Sequence, residues 1–322
     1  MTLREGVCME LHYGIISVAA ITDRFLHGIL EAGDIIEAIA SRSMKKAMDK
    51  AQEFGVKKAY DNYEDVYQDP NVDIVYISVN NGNHVKEIKQ ALQHGLHEIC
   101  EKPIALSKQD AMEVFQLAKK KHCFLMEAQK SVFLPVTQDI RRFIQQKRLG
   151  RLQQIELSSS FPDPMTAWFH DPTQGGVVYG SANYTIEYLD VLLSPTTIAS
   201  SAMGTLDTSG VCDRVSMNFL FDDVLINSRI SMSGDTLHHA IFYFDKGYII
   251  VPEFWKAREY TIVSYGESKT ITHPCKYEMQ YEAKHIHECI EQGKLQSDVM
   301  SAKRSIACCG LVDDIILQIN QK

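Results

Sequence analysis

The sequence is poor in the features that mark nucleic-acid-binding, membrane or secreted proteins. Its 33 lysines and arginines are outnumbered by 41 aspartates and glutamates, so the net charge is −8, without the basic excess of a nucleic-acid binder. No stretch reaches the roughly 18 to 20 apolar residues that a membrane helix needs. The opening MTLREGVCMELHYG has no long apolar segment and no small-residue cleavage site. We therefore expect a globular cytoplasmic protein without a nucleic-acid or membrane partner.

Metal-binding patterns are also missing. The eight cysteines show no paired ligand spacing, and Cys308 and Cys309 are adjacent within an apolar helical pattern. Free cysteine packs as a small apolar group, so buried thiols in a reducing cytoplasm are expected. The neighbouring His238 and His239 resemble a metal pair, but adjacent side chains on a strand point to opposite faces. The sequence predicts no metal site.

The chain of 322 residues is long for one core, and its pattern changes after about residue 127. Before that point, short apolar runs alternate with amphipathic helical patterns near 21–32, 44–54, 84–94 and 107–121. The predicted strands are YGIISV, IIEAIA, VDIVYISV, LHEIC and CFLME. This alternation implies right-handed crossovers and a parallel sheet. Residues 1–127 are thus predicted to form a Rossmann-type, doubly wound α/β domain that binds a dinucleotide.

In the remaining part, residues 128–322, consecutive strands with short turns imply a mostly antiparallel sheet of an α+β domain. The predicted strands are RLQQIELSSSF, TIASSAMGTL, RVSMNFLF, VLINSRISMS, HHAIFYFDKGYIIV and REYTIVSY. FDKGY is predicted to be a hairpin turn. Helices are predicted near 136–147, 176–193, 279–292 and 300–320.

A glycine-rich phosphate turn is not present after the first strand. The three positions that G-x-G-x-x-G fills with glycine hold Ser17, Ala19 and Thr22. Serine and alanine are the smallest substitutes, whereas threonine suits the close approach of helix and sheet less well. The segment is compatible with a plain buried junction or with a nucleotide site. We predict that Ser17, Ala19, Ala20 and Ile21 still bind a dinucleotide, more weakly than a glycine turn would.

An acidic residue is missing after the second strand. NAD sites commonly carry an aspartate or glutamate there for the ribose hydroxyls, but this chain has Ser41-Arg42-Ser43. Serine and arginine suit the 2′-phosphate of NADP, because arginine forms charge-assisted hydrogen bonds with phosphate. The same residues also suit a solvated helix start with Ser41 or Ser43 as the N-cap. On the phosphate interpretation, Ser41 and Arg42 contact the cofactor.

The strongest chemical signal follows the strand LHEIC. Glu101-Lys102-Pro103 places a lysine at the carboxyl end of a predicted parallel strand, where ligands of such domains bind. A lysine in that position can hydrogen-bond a substrate hydroxyl and transfer its proton. An isolated EKP would otherwise be interpreted as an exposed charged turn.

Taken in order, these segments resemble the Gfo/Idh/MocA-type oxidoreductases, which include glucose–fructose oxidoreductase and inositol dehydrogenase. The resemblance covers essentially the whole chain. It is carried by YGIISVAAITDRF, IASRS, YEDVYQDPNVDIVYISVNNGNH, HEICEKPIALS, FLMEAQKSVFLP, RLGRLQQIE, QGGVVYGSANY and EAKHIHECIEQGK. It implies a nicotinamide-dependent dehydrogenase or reductase of sugars, polyols or related diols. It also implies that the second domain is an open antiparallel sheet, covered by helices on one face, that often forms an oligomer interface.

The resemblance assigns roles in the first domain. Lys102 occupies the position of the catalytic lysine, with Glu101 beside it as a cofactor contact. The family motif T-P-N-x-x-H is present as VNNGNH, which keeps the asparagine and histidine but not the threonine and proline. On this basis Val79, Asn81 and His84 are expected to contact the cofactor.

In the second domain, the motif G-G-G-x-x-x-D-x-G-x-[YH] is present as QGGVVYGSANY, in which Tyr184 takes the tyrosine or histidine position. Gly180 stands where an aspartate usually orients substrate, which favours a bulkier or less polar substrate. Trp168 either lines the substrate pocket or anchors a packed loop. Lys130, after the last parallel strand, either reaches the pocket or lies in solvent.

Two functions follow from these residues. The first is an enzyme that moves a hydride between NADP, or possibly NAD in its place, and a hydroxyl-bearing carbon of a small molecule, with Lys102 and Tyr184 as catalytic residues. The alternative is a non-catalytic nucleotide or metabolite sensor, which the altered turn and Gly180 favour.

Apolar segments such as VSMNFLF and AIFYF also predict a homodimer or homotetramer through the outer face of the second sheet.

The Arg42→Ala variant tests the predicted cofactor preference. An arginine–phosphate contact contributes about 1.5 to 3 kcal/mol, or roughly ten- to a hundredfold in affinity. The wild type should bind NADPH more tightly than NADH by about this factor, and the variant should bind both alike. Fluorescence titration of both cofactors measures this, and equal affinities in the wild type would refute the assignment.

Overall fold

Two β-sheets organise the part of the chain that the computed structural model describes, which is residues 10–162, 164 and 166–320. The first sheet is parallel throughout and has the order β3-β2-β1-β4-β5-β6. Its strands are β1 (His12–Ile16), β2 (Ile35–Ala40), β3 (Lys58–Tyr60), β4 (Ile74–Ile77), β5 (His97–Glu101) and β6 (Leu125–Ala128). The strand order reverses between β1 and β4, which is where doubly wound domains bind ligands. The predicted Rossmann-type sheet is confirmed.

Helices connect the parallel strands. They are α1 (Thr22–Ala32), α2 (Met44–Phe54), α3 (Glu64–Tyr67), α4 (His84–Gln93) and α5 (Lys108–Lys121). The longer four agree with the sequence pattern, and local signals mark ends of α1, α2 and α5. Gly33 and Gly55 end α1 and α2 in the left-handed conformation, and Ser107 starts α5 by accepting a hydrogen bond from the Asp110 N–H at 3.1 Å. The short β3 and α3 were not predicted.

The second sheet has eight strands in the order β14-β13-β12-β11-β7-β10-β9-β8. They are β7 (Leu152–Ser160), β8 (Ile198–Leu206), β9 (Cys212–Phe221), β10 (Val224–Ser231), β11 (His239–Phe244), β12 (Gly247–Pro252), β13 (Glu259–Ser264) and β14 (Glu267–Thr272). Only the β7–β10 pair is parallel among the strand pairs described. The predicted FDKGY hairpin joins β11 to β12. The polar β14 was not predicted.

Burial alternates along the second sheet and defines its two faces. In β10, Val224, Ile226 and Ile230 are buried, while Leu225 and Arg229 are exposed. The buried face packs against helices α6 (Pro135–Gln146), α7 (Asn183–Leu193) and α9 (Ala302–Asn320). The prediction of a mostly antiparallel sheet with helices on one face is confirmed.

The end of the chain returns to the first domain. Helix α8 (Gln280–Glu291) packs against α1, and α9 packs against α5 as well as against the second sheet. Ile286 and Cys289 of α8 lie in the same hydrophobic cluster as Phe25 and Ile29 of α1. Because these helices contact both parts of the fold, the division into 1–127 and 128–322 stays a prediction. None of the helices in the described ranges has both the length and the apolar character needed to cross a membrane.

Gly28 permits the close packing of α1 and α8. A Cβ atom there would lie 2.9 Å from the backbone carbonyl carbon and oxygen of Met279. In an exposed helix, replacing glycine by alanine stabilises the protein by up to about 1 kcal/mol. Overpacking a side chain against the backbone destabilises it by about 1 to 3 kcal/mol. We expect Gly28→Ala to lower the free energy of unfolding by about 1 to 2 kcal/mol in chemical denaturation. Gly234→Ala is the control, since no atom lies within 4 Å of the position that its new methyl group would take; equal stability of both variants would contradict the packing argument.

Candidate active site

A cleft lies at the carboxyl ends of the parallel strands, beside the reversal of strand order. It consists of two adjoining cavities of about 520 and 720 Å³ that share Ser17, Val79, Asn80, Thr166 and Trp168. The smaller, inner cavity is lined by Lys102 and Tyr184, and the larger, outer cavity by Arg42. The cleft therefore brings together groups that the sequence separates by more than a hundred positions.

The turn after β1 is held by side-chain hydrogen bonds in place of glycine. Ser17 adopts a left-handed conformation with φ 81°, and its N–H donates to the Ala40 carbonyl at 3.0 Å. A non-glycine residue in this region costs about 1 to 2 kcal/mol. The buried Thr22 hydroxyl accepts from the Ala19 N–H at 2.8 Å and lies 3.1 Å from the Ser78 hydroxyl. Thr22 therefore stabilises the close approach of helix and sheet that its bulk was expected to hinder.

This turn fits the pyrophosphate of a dinucleotide. Ala19, Ala20 and Ile21 line the inner cavity just before α1 begins at Thr22. Within the described residues, the N–H groups of Ala20 and Ile21 donate no hydrogen bond to the protein. Small side chains and open N–H donors at a helix N-terminus are what an anionic group needs for binding.

Of the residues after β2, the two serines form local hydrogen bonds, whereas the arginine lies at the cleft. Ser41 is buried and its hydroxyl accepts from the Ser43 N–H at 3.4 Å, while Ser43 caps α2 by accepting from the Lys46 N–H at 3.5 Å. Arg42 is exposed at the outer cavity and forms no ion pair with a carboxylate in the described part of the chain. The capping interpretation thus describes the serines, while Arg42 remains free to meet a phosphate.

The loop after β4 is connected to both neighbouring segments. His84 is fully buried, and its ring nitrogens lie 2.7 Å from the Pro103 carbonyl and 3.0 Å from the Val79 carbonyl. Burial is the main cause that lowers the pKa of His84, while the two carbonyl contacts act in the opposite direction. Asn81 donates its amide to the Gln174 carbonyl at 3.0 Å. The side chains of His84 and Asn81 therefore hold the cleft wall together, and their predicted contact with cofactor stays a prediction.

The two predicted catalytic side chains meet in the inner cavity. The Lys102 Nζ donates to the Gly180 carbonyl at 2.6 Å and lies 4.7 Å from the centre of the Tyr184 ring. Beside it, Glu101 accepts a hydrogen bond from the Tyr76 hydroxyl at 2.6 Å. Burial raises the pKa of Tyr184 to about 12, so its hydroxyl is protonated at neutral pH.

Gly180 lies in a π-helical turn, Val178–Ala182, directly before α7. A Cβ atom at Gly180 would overlap the ring of Phe169, which leaves no room for a larger side chain at this position unless the ring shifts. Phe169 in turn stacks on Trp168 with ring centres 4.0 Å apart. Trp168 lines both cavities. It was expected either to line the substrate pocket or to anchor a packed loop, and here it forms an aromatic wall of the cleft. Sequence reasoning missed Phe169, for which the only signal was its aromatic neighbour.

Lys130 is buried against Tyr184, which contradicts the solvent-exposed alternative, while its predicted contact with substrate stays a prediction. Only 4% of the residue is exposed, and its Nζ donates to the Tyr184 hydroxyl at 2.6 Å. The same nitrogen lies 4.6 Å from the centre of the Tyr184 ring. Burial lowers the pKa of Lys130 to about 8. The side chain therefore supports the cleft through Tyr184.

Two family models match this chain. The model described as "Oxidoreductase family, NAD-binding Rossmann fold" covers residues 11–129, and the "GFO/IDH/MocA C-terminal domain" model covers residues 137–250. The chain belongs to the Gfo/Idh/MocA oxidoreductase family. The fold described above is thus that of a family whose first domain is an NAD-binding Rossmann fold.

Curated relatives of this Gfo/Idh/MocA protein include trans-1,2-dihydrobenzene-1,2-diol dehydrogenases. The Xenopus laevis enzyme is 27% identical over 97% of this chain and 98% of its own length, and the Mus musculus enzyme is 28% identical over 92% and 93%. A 3-ketoreductase from Actinomadura kijaniata, solved with NADP and TDP-benzene, has a TM-score of 0.88 at 18% identity, covering 97% of this chain and 98% of its own. Levoglucosan dehydrogenase, solved with NADH and levoglucosan, has a TM-score of 0.84 at 15% identity over the same shares. At these identities the solved structures establish the common fold.

One group of potential metal ligands lies outside the cleft. Ligand atoms of His285, Cys289 and Asp298 come within 4.8 Å of one another. Two of these side chains already have partners outside the group, since His285 lies 2.7 Å from the Ser297 hydroxyl and Asp298 pairs with Lys294 at 3.2 Å. The Cys289 thiol lies 3.4 Å from His285. The spacing of His285 and Cys289, four residues apart on α8, is a signal that the sequence analysis did not use.

Proposed function

We propose that this protein is an NAD(P)-dependent dehydrogenase or reductase acting on a hydroxyl-bearing carbon, or the matching carbonyl, of a small diol, polyol or sugar. The observation that carries the proposal is the meeting of Lys102 and Tyr184 in one cavity beside a turn suited to a dinucleotide. A bound nicotinamide would supply or accept the hydride.

Lys102 acts as the general acid and base for the substrate oxygen. Its Nζ is fixed by the Gly180 carbonyl and the Tyr184 ring, which leaves its remaining hydrogen-bonding capacity for the substrate. It transfers the hydroxyl proton and stabilises developing alkoxide charge. The Tyr184 hydroxyl orients the same oxygen. Fixed positions reduce the entropic cost of reaching the reactive geometry.

The substrate is a vicinal diol on a ring with one apolar face. Phe169 and Trp168 form an aromatic wall beside Gly180, which itself brings no polar side chain, so this side of the pocket offers few hydrogen bonds to a hexose. The names of the curated relatives, which specify a dihydrobenzene diol, support the same class. NADP is the preferred cofactor, because Arg42 is unpaired at the outer cavity within the described residues.

The alternative of a non-catalytic sensor has lost its supporting observations. Thr22 stabilises the altered turn instead of blocking it, and Phe169 fills the space beside Gly180. The relatives reported above are named as dehydrogenases.

A reducing compartment such as the cytoplasm is supported by the seven cysteines of the described residues, all of which are free thiols.

Self-association is proposed through the face of the second sheet that lacks helices. Leu220 and Leu225 are 44% and 54% exposed there and are paired across β9 and β10. Exposed apolar side chains on an open sheet favour a symmetric interface. Light scattering at micromolar concentration should show a homodimer or homotetramer, and Leu225→Lys should reduce its mass. Leu317→Lys, at a 58% exposed leucine of α9, is the control; a monomeric wild type would contradict the proposal.

Lys102→Ala tests the enzymatic role. General acid–base catalysis contributes about a hundred- to ten-thousandfold in rate, so kcat should fall on that scale while cofactor affinity changes little. The assay is oxidation of trans-1,2-dihydrobenzene-1,2-diol with NADP⁺, followed by NADPH absorbance. Tyr184→Phe should cost less, because only one orienting hydroxyl is lost. Unchanged turnover in Lys102→Ala would refute the mechanism. If the wild type transfers no hydride to or from any alcohol or carbonyl tested, the sensor hypothesis is the better explanation.

A further inference from the structure

Lys130 is a buried cation that has no role in the reaction proposed above. It begins a short 3₁₀ turn, Lys130–Val132, directly after β6. Its Nζ has the Tyr184 hydroxyl as its hydrogen-bond acceptor at 2.6 Å, and within the described residues no carboxylate lies in ion-pair range of it. Burial of an ammonium is costly when no carboxylate pairs with it directly, and Glu101, Glu278 and Glu282 act on it only from a greater distance. Its position therefore calls for an explanation beyond packing.

The backbone around Lys130 is firmly held. The Gln129 N–H donates to Glu282 of α8 at 2.6 Å, and the Gln129 amide donates to Glu187 of α7 at 2.5 Å. The Ser131 hydroxyl donates to the Gln129 side-chain carbonyl at 3.0 Å. These bonds fix the segment from which the Lys130 side chain reaches Tyr184.

We propose that Lys130 is a positioning residue that keeps the Tyr184 hydroxyl aimed at the substrate oxygen, and that loss of its proton turns this hydroxyl away. The proposal rests on the proposed function, since it concerns how the same cavity holds its substrate. Lys130 itself does not line either cavity and acts through Tyr184.

Hydrogen-bond directionality gives the mechanism. A charged Lys130 has only donors, so the Tyr184 oxygen accepts from it and the Tyr184 hydrogen is free to point into the cavity. A neutral Lys130 amine has a lone pair that accepts the Tyr184 hydrogen, and the substrate then loses that donor. The requirement is the same for oxidation and reduction, because Lys130 is charged before and after either step. The substrate proton itself is handled by Lys102 in both directions.

The surroundings place the titration of Lys130 in an accessible range. Burial is the main cause that lowers its pKa to about 8, and Arg24 of α1 lowers it further. Glu101 at the end of β5, Glu282 in α8 and Glu278 before α8 oppose this by raising it. Lys130 is therefore mostly charged at neutral pH and loses its proton a little above it, which would remove the Tyr184 donor as pH rises.

The kinetic test compares pH profiles of kcat/KM for the diol with NADP⁺ and for cyclohexane-1,2-dione with NADPH. The wild type should show an alkaline decline in both directions with a midpoint near 8. Lys130→Met should lower the neutral plateau by about ten- to a hundredfold and lose this decline. Lys130→Arg, which donates at every pH, should restore most of the plateau without the decline. Lys120→Met, at an exposed lysine of α5, is the matched control and should match the wild type.

A double-mutant comparison and a direct titration complete the experiment. Lys130→Met should have no further effect in a Tyr184→Phe background, because its role depends on the hydroxyl. In the NMR spectrum of ¹³C-lysine-labelled wild type, one Cε resonance should titrate near pH 8, disappear in Lys130→Met and shift its midpoint in Tyr184→Phe. A decline that persists in Lys130→Met, additive effects of the two substitutions, or a Lys130 titration indifferent to Tyr184→Phe would each overturn the inference. The NMR result decides this even if no substrate is turned over, whereas absent turnover alone counts only against the proposed function.

Discussion

The Lys102 ammonium is the point at which the two halves of the fold meet around the cleft. It begins at a strand end of the first domain and donates to the Gly180 carbonyl of the second at 2.6 Å. That carbonyl lies in the π-helical turn Val178–Ala182, a local irregularity that frequently marks functional sites. The Tyr184 ring, four residues after Gly180, also contacts the Lys102 ammonium. At the inner cavity, a cation is thus the donor of a hydrogen bond that joins the two parts of the fold, and the Asn81 amide forms a further bond of this kind with the Gln174 carbonyl.

Buried polar groups extend this connection behind the cleft. Glu127 of β6 accepts from the Ile104 N–H at 3.0 Å, and Glu187 of α7 accepts from the Gln129 amide at 2.5 Å. Burial raises the pKa of both carboxyl groups, so they are stabilised in the protonated form. Such a network fixes orientation more than it adds stability, because each buried polar group must first lose its water. Here the orientation that it fixes is that of Lys130 and Tyr184.

The altered phosphate turn shows how one requirement can be met by different residues. Glycine provides a left-handed backbone without strain, whereas Ser17 adopts φ 81° and must be held there. The Thr22 hydroxyl contributes to this by bridging the Ala19 N–H and the Ser78 hydroxyl. A motif search based on glycine alone misses such a turn, since the physical requirement is a tight bend with open N–H donors.

The sequence by itself determined the two-domain α/β architecture, most helix limits, the FDKGY hairpin and the strand-end position of Lys102. These features depend on local patterns, namely hydrophobic periodicity, caps and turn residues. Tertiary structure alone decided that Phe169 fills the space at Gly180, that Thr22 bonds to Ser78, and that Lys130 bonds to Tyr184. The last two contacts join residues 56 and 54 positions apart. No local pattern encodes such a pairing, because it arises only when the crossovers of the first sheet and the packing of α7 bring residues that are distant in sequence to the same side of the cleft.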